Sequence, residues 1–309
     1  MGTLCAPGQG CQLNPHRDVG FFVCPDRNPP YILSIYFKRS KPRVNGSYAM
    51  RDEVRLAEQA ARQAGTLTLK YYGDKYAVRD KGHDNPVTTA DLEADACLRQ
   101  LLLEPYPNYG WLSEETADSP HRLAADTVWI VDPIDGTKEF LAEIPEYVVS
   151  IALVENGEPT VGVIYNPARD DLFLAARNGG TFLNGKRVFC SELAALDQAT
   201  LIVSRSETKR GEIDPFLPHL GAVKPVGSVA YKLALVAAGQ ADFNLSVQPK
   251  NEWDVCAGDL LVREAGGRML DLKGQVRRYN QKDPLIAGGL VAGNEQLTTR
   301  ALQLIAEVS

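Results

Sequence analysis

A short apolar run, Trp129-Ile-Val131, leads straight into two carboxylates three residues apart in Asp132-Pro-Ile-Asp-Gly-Thr137. The segment reads as a buried strand, Thr127–Val131, that breaks at Asp132-Pro133, with Pro133 halting the strand and Gly136 permitting a tight turn. Such a turn can aim the Asp132 and Asp135 carboxylates, the Ile134 carbonyl and the Thr137 hydroxyl towards one point. Hard divalent cations such as Mg²⁺ take several oxygen ligands in octahedral array, and this stretch offers three or four. Asp, Pro and Gly are also common turn residues, so D-P-x-D alone says little. The whole string after a buried strand is what points to metal.

Three further acids are weak signals when taken singly. Paired glutamates such as those in Ser113-Glu-Glu115 are commonly solvated charge. Asp254, in Glu252-Trp-Asp254, opens a helix and reads either as its N-cap or as an acid beside a helix start that favours anions. Asp91, closing Asp84-Asn-Pro-Val-Thr-Thr-Ala-Asp91, reads either as a first-turn helix acid or as part of a site. In Gly227-Ser-Val-Ala-Tyr-Lys232, Ser228 and Lys232 are either an N-cap and a solvated lysine or contacts to a substrate. Asp170 and Asp171 read as solvated turn residues. His83 and His121 lie in polar loops without partner spacing and receive no role.

The elements that must position these residues are legible from periodicity. Val54, Ala57, Ala61 and Ala64 recur at helical spacing, and a second helix is predicted over Ala90–Leu103, capped by Thr88 or Thr89. Tyr147–Val154 and Thr160–Tyr165 read as strands joined through Asn156-Gly157, and Asp171–Ala176 and Gly180–Leu183 continue that meander. From Thr200 strands and helices alternate: strand Leu201–Ser204, helix Ala230–Ala238 closed by Gly239, helix Asp254–Glu264, strand Leu285–Val291 and helix Gln296–Glu307. Residues 1–49 are rich in Pro, Gly, Asn and Arg without sustained periodicity. They read as a disordered extension or as sequence upstream of a start at Met50, with a transit peptide as a minor alternative.

Composition narrows the class. A 309-residue chain with 44% apolar and 23% charged residues and a formal net charge of −6 is ordinary for a globular protein and offers no basic field for a nucleic-acid polymer. No apolar run reaches membrane-spanning length, about 18 residues. Six cysteines without C-x-x-C spacing, three of them at Cys5, Cys11 and Cys24, fit reduced thiols in a cytoplasmic protein better than zinc or disulfides. A haloacid-dehalogenase-type phosphatase needs D-x-D, and Ile134 occupies its second acid position. A metal-binding or regulatory protein without activity would be expected to lack a ligand, and none is missing.

Taken together, Pro86-Val-Thr-Thr-Ala-Asp91, Ser113-Glu-Glu115, Asp132-Pro-Ile-Asp-Gly-Thr137 and Trp253-Asp254 followed by Glu264-Ala-Gly-Gly267 resemble the inositol monophosphatase-like superfamily of metal-dependent phosphatases, in order and over about Met50 to the C-terminus. Gly136-Thr-Lys-Glu-Phe140 and Ser204-Arg-Ser206 look like its 3'(2'),5'-bisphosphate nucleotidase branch, although Glu207 stands where that branch often has His. The resemblance implies a layered αβαβα sandwich in the α/β class, with an α+β half over 50–195 and an α/β half over 196–309, the site lying in the cleft between them. It implies that Glu114, Asp132 and the Ile134 carbonyl hold one Mg²⁺, that Asp132, Asp135 and Asp254 hold a second, and that a third, weaker ion sits near Glu114. Asp91 and Thr137 would share a hydrogen bond that orients and helps deprotonate the attacking water. Gly136, Thr137, Ser228 and Lys232 would meet the substrate, a small phosphorylated molecule. The expected reaction is hydrolysis of 3'-phosphoadenosine 5'-phosphate to AMP and phosphate, with inositol monophosphate or fructose 1,6-bisphosphate as the alternative. Sensitivity to Li⁺ and a homodimer are also compatible with the resemblance.

Overall fold

The computed structural model describes residues 19–23, 32–36, 51–74, 77–80 and 86–308. The reading of 1–49 as an extension falls mostly outside these residues, as do Cys5, Cys11, Cys24, His83 and Asp84. Within the unit Met1–Ser47, β1 (Val19–Val23) and β2 (Ile32–Tyr36) pair antiparallel. The unit Tyr48–Ser309 carries everything else.

In that unit α1 (Asp52–Leu69) buries the predicted stripe Val54, Ala57, Ala61 and Ala64. The short strands β3 (Val78–Asp80) and β4 (Pro86–Thr88) pair antiparallel, and β4 runs into α2 (Thr89–Leu103). Then come β5 (Gly110–Ser113), β6 (Thr127–Asp135) and the five-residue α3 (Thr137–Leu141). The meander follows as β7 (Val148–Glu155), β8 (Glu158–Asn166), β9 (Asp171–Ala176), β10 (Gly180–Leu183) and β11 (Lys186–Val188). Strands β5 to β11 form one seven-stranded sheet in sequence order, antiparallel except for the β5–β6 pair.

The alternating region begins with β12 (Thr200–Ser204), α4 (Arg205–Lys209), β13 (Ala222–Val226), α5 (Val229–Ala237) and β14 (Phe243–Ser246). It closes with β15 (Lys250–Asn251), α6 (Glu252–Glu264), β16 (Arg268–Asp271), β17 (Leu285–Ile286), β18 (Leu290–Gly293) and α7 (Glu295–Val308). The second sheet has the order β13-β12-β14-β18-β16. The single strand expected over Leu285–Val291 is two: Leu285 and Ile286 pair with β15, and Leu290 onward joins the five-stranded sheet. Gly288 and Gly289, both at positive φ, turn the chain between them.

Strand periodicity explains the layers. Along β6, Trp129 and Val131 pack with α1 and α2, whereas Val128 and Ile130 pack with α5 and α6. Along the second sheet, Ile202 and Ala292 face α5 and α6, and Leu201, Val203 and Val291 pack with Leu297, Ala301 and Leu304 of α7. The order is therefore α1/α2, seven-stranded sheet, α5/α6, five-stranded sheet, α7, the αβαβα sandwich. Both sheets are buried on two faces, and each fully buried Leu, Val or Phe contributes about 1.5–3 kcal/mol over an exposed one.

Candidate active site

The strand β6 does not break at Asp132-Pro133 as its sequence suggests. Asp132 pairs with Ser150 and Asp135 with Val148, so three steps on β6 oppose two on β7. One extra residue makes a bulge, the setting in which a strand tolerates a proline that cannot donate to the ladder. The strand continues to Asp135, where Gly136 takes φ 100° and starts α3. A Cβ at Gly136 would lie 3.0 Å from the Glu146 carbonyl oxygen, so both space and backbone conformation call for glycine. Asp132, Ile134, Asp135, Gly136 and Thr137 all line a cleft of about 270 Å³ together with Glu114, Ser228, Lys232 and Asp254.

Carboxylate oxygens of Glu114, Asp132 and Asp254 lie within 4.8 Å of one another. Asp132 is buried and the other two are half-buried. Glu114 follows β5, and its N–H donates to the Val131 carbonyl at 3.3 Å. Asp254 is not the N-cap of α6. That position is Asn251, whose N–H donates to Asp254 Oδ2 at 2.7 Å, as in a capping box. Asp135 lines the same cleft without joining the close trio; its Oδ2 accepts from Ser228 Oγ at 2.7 Å and from the Ala230 N–H.

Asp91 sits at the equivalent third position of α2. Its Oδ2 accepts from the Thr88 N–H at 2.7 Å, and its Oδ1 accepts from Thr137 Oγ1 at 3.2 Å. Thr137 Oγ1 is also 3.1 Å from the Ile134 carbonyl oxygen. Ser228 caps α5 by accepting from the Tyr231 N–H at 2.9 Å. Lys232 is not solvated: it is 2% exposed, and its Nζ donates to the Ser228 carbonyl at 2.6 Å.

Electrostatics set these acids apart. Burial, then the charges of Glu114, Asp135 and Asp254, push Asp132 well above the usual carboxylate range. Burial, then Asp135 and Glu114, do the same to Asp254. Burial raises Asp91 and Asp135 as well, partly offset by their hydrogen bonds. Burial lowers Lys232 to about 8. Like charges packed this closely are held apart from their ordinary ionisation until protons or cations neutralise them.

Several residues at the cleft were given no role by the sequence. Glu139, Ser204, Ser206 and Asn251 line it. Glu146 accepts from Arg205 and from the Gly227 N–H at 2.8 Å, tying the chain after α3 to the start of α5. Glu207, standing where a histidine is frequent, is buried and accepts from Ser246 Oγ at 2.7 Å and the Val247 N–H at 3.0 Å. Motifs named Glu139, Ser204, Ser206 and Glu207 without placing them; the partners of Glu146 and Glu207 are dozens of residues away, so their contacts are found only in the coordinates.

A family model described as the inositol monophosphatase family matches residues 50–309. An inositol-1-monophosphatase of Rhizobium meliloti (strain 1021) is 35% identical over 261 residues, covering 80% of this chain and 93% of the relative. A Nus factor SuhB of Xylella fastidiosa (strain Temecula1) is 36% identical over 263 residues, 82% of this chain and 94% of the relative. Among solved structures, CysQ from Bacteroides thetaiotaomicron, a bacterial member of the same family, superposes with TM-score 0.67 at 30% identity over 80% of this chain and 98% of that one.

Proposed function

Because the chain belongs to the inositol monophosphatase family, a family of phosphatases, we propose that it is a Mg²⁺-dependent phosphomonoesterase whose substrate is 3'-phosphoadenosine 5'-phosphate, cleaved to AMP and phosphate. The convergence of Glu114, Asp132 and Asp254 carries the metal dependence. Their oxygens are hard donors close enough for a pair of cations to link them, and the repulsion that raises Asp132 and Asp254 is what divalent ions relieve. Glu114, Asp132 and the Ile134 carbonyl would hold one ion and Asp132, Asp135 and Asp254 a second, with a third near Glu114. When bound, the ions lower the pKa of a water and neutralise the phosphoryl and leaving oxygens.

The chain's own residues supply position. Thr88 occupies Asp91 Oδ2, which leaves Oδ1 to accept from Thr137. With its proton directed there, the Thr137 oxygen presents a lone pair to the cleft and can accept from an attacking water. Asp91, raised by burial, then serves as the eventual proton acceptor. The Gly136 and Thr137 N–H groups at the start of α3 lack intrahelical acceptors by position and suit phosphoryl oxygens. Ser228 acts on the substrate side by holding Asp135, and Lys232 by adding positive charge beneath the cleft. In-line attack by water, without a covalent intermediate, inverts the configuration at phosphorus.

The nucleotide substrate is supported by Gly136-Thr-Lys-Glu-Phe140, of which Lys138 and Glu139 line the cleft. Inositol 1-phosphate is the second reading, favoured by the identity to the Rhizobium relative. A homodimer in a cytoplasmic setting completes the proposal; no helix among the described residues is long and apolar enough to cross a membrane. Phosphate release from the two esters, measured with and without Mg²⁺, tests it. A preference for the inositol ester overturns the substrate assignment, and absence of Mg²⁺-dependent release from any monoester overturns the activity.

A further inference from the structure

The proposed metal ligands do not share the same support. Asp132 lies on β6 and Asp254 within the capping box of α6, whereas Glu114 belongs to a bend, residues 114–116, beyond the end of β5. The Glu114 N–H donates to the Val131 carbonyl at 3.3 Å, but the side chains of a bend are not set by strand pairing, and ordering them costs conformational entropy. Asp95 braces this bend from both sides. It lies on α2 one turn after Asp91, so the two carboxylates share a helix face. It is 8% exposed, and it uses both oxygens: Oδ1 accepts from Ser113 Oγ and Oδ2 from Thr116 Oγ1 at 2.6 Å. Those hydroxyls stand immediately before and two residues after Glu114. Thr116 Oγ1 is itself fixed by the Trp111 indole N–H at 3.3 Å.

Given that Glu114 is a metal ligand, we propose that Asp95 is a positioning residue for Mg²⁺ binding, clamping the Ser113–Thr116 bend so that Glu114 faces the cleft before an ion arrives. One helix then serves both parts of the site: Asp91 orients Thr137, and Asp95 orients the bend that bears Glu114. Residues that orient metal ligands typically change affinity by about 10–100-fold when lost.

Calorimetric titration of the full chain with Mg²⁺ tests the clamp, with far-UV circular dichroism to confirm folding. Asp95→Ala is expected to raise the Mg²⁺ Kd by about 10–100-fold while kcat at saturating Mg²⁺ stays near wild type. Asp95→Asn can still accept from Ser113 and donate to Thr116, and its Kd is expected to fall between the two. An Asp95→Ala Kd within about twofold of wild type overturns the proposal. Should that variant fail to fold, Thr116→Val and Ser113→Ala decide: each is expected to raise Kd several-fold, and unchanged values overturn the clamp. Glu114→Gln separates the two claims. If it binds Mg²⁺ as wild type does, the ligand assignment fails; if it loses binding while Asp95→Ala keeps it, only the clamp fails.

Discussion

An acid at the cleft can serve a helix cap and the candidate site together. Asp91 gives Oδ2 to the α2 capping box and Oδ1 to Thr137; Asp254 gives one oxygen to Asn251 and still reaches Glu114 and Asp132. Read from sequence these were alternatives, a helix-start acid or a site residue; each acid closes a capping box, while Asp254 also lines the cleft and Asp91 also accepts from Thr137, so the two readings are compatible. Asp132→Asn tests this scale. The amide keeps the Oδ1 that accepts from the Ile134 N–H at 3.0 Å, so the fold is expected to survive, while loss of a shared ligand lowers turnover roughly a thousandfold. Steady-state phosphate release above about a tenth of wild type would remove Asp132 from that role.

At the scale of elements, apolar periodicity was sufficient for the five longer helices α1, α2, α5, α6 and α7 and for β6 to β10 and β12, which are buried on regular faces, whereas β5, β13, β14 and β16 and the short α3 and α4 received no reading. It failed where a backbone irregularity does the positioning. The bulge in β6 looks in sequence like a strand end, since Pro133 normally stops pairing; the two strands within Leu285–Val291 look like one because the break is made by paired glycines. Close approach is similarly hidden. At Gly162 on β8 a Cβ would meet the Ala257 carbonyl oxygen of α6 at 2.8 Å. Gly162→Ala must therefore push α6, and with it Asp254, away from the seven-stranded sheet. Destabilisation of about 1–3 kcal/mol is expected, read from the denaturant midpoint, with weaker Mg²⁺ binding alongside. An unchanged midpoint would show that the two layers have slack.

At the scale of the whole molecule, the sandwich buries acids that a metal-free protein holds uncomfortably. Asp132 and Asp254 are pushed well up, burial raises Glu252 to about 7, and burial raises Asp259 to about 6. A carboxyl raised on folding keeps a proton that the unfolded chain has released. Its contribution is complete below the unfolded value, near 4, and is lost as pH rises through the folded value. Lys232, lowered to about 8, works in the opposite direction only at higher pH, because below that it is protonated in both states. The Tm of the metal-free protein is thus expected to fall between about pH 5.5 and 8, by roughly 2–4 °C for each kcal/mol lost. Saturating Mg²⁺ should recover much of that loss, and Asp132→Asn should flatten the slope. A metal-free Tm that rises across the same interval would contradict the burial of these acids in ionisable form. The four motifs made the family resemblance and the sandwich legible in advance. The distances among acids more than a hundred residues apart were not, because they depend on how two sheets stack over α5 and α6.

Those distances are the heart of the matter, and Mn²⁺ in place of Mg²⁺ can read them directly. Anomalous scattering from crystals grown with Mn²⁺ is expected to give two peaks at bonding distance, about 2.0–2.3 Å, one from oxygens of Glu114 and Asp132 and the other from oxygens of Asp132 and Asp254. Peaks that leave Glu114, Asp132 or Asp254 untouched by any ion, or no peak at Mn²⁺ concentrations that support phosphate release, would contradict the metal site.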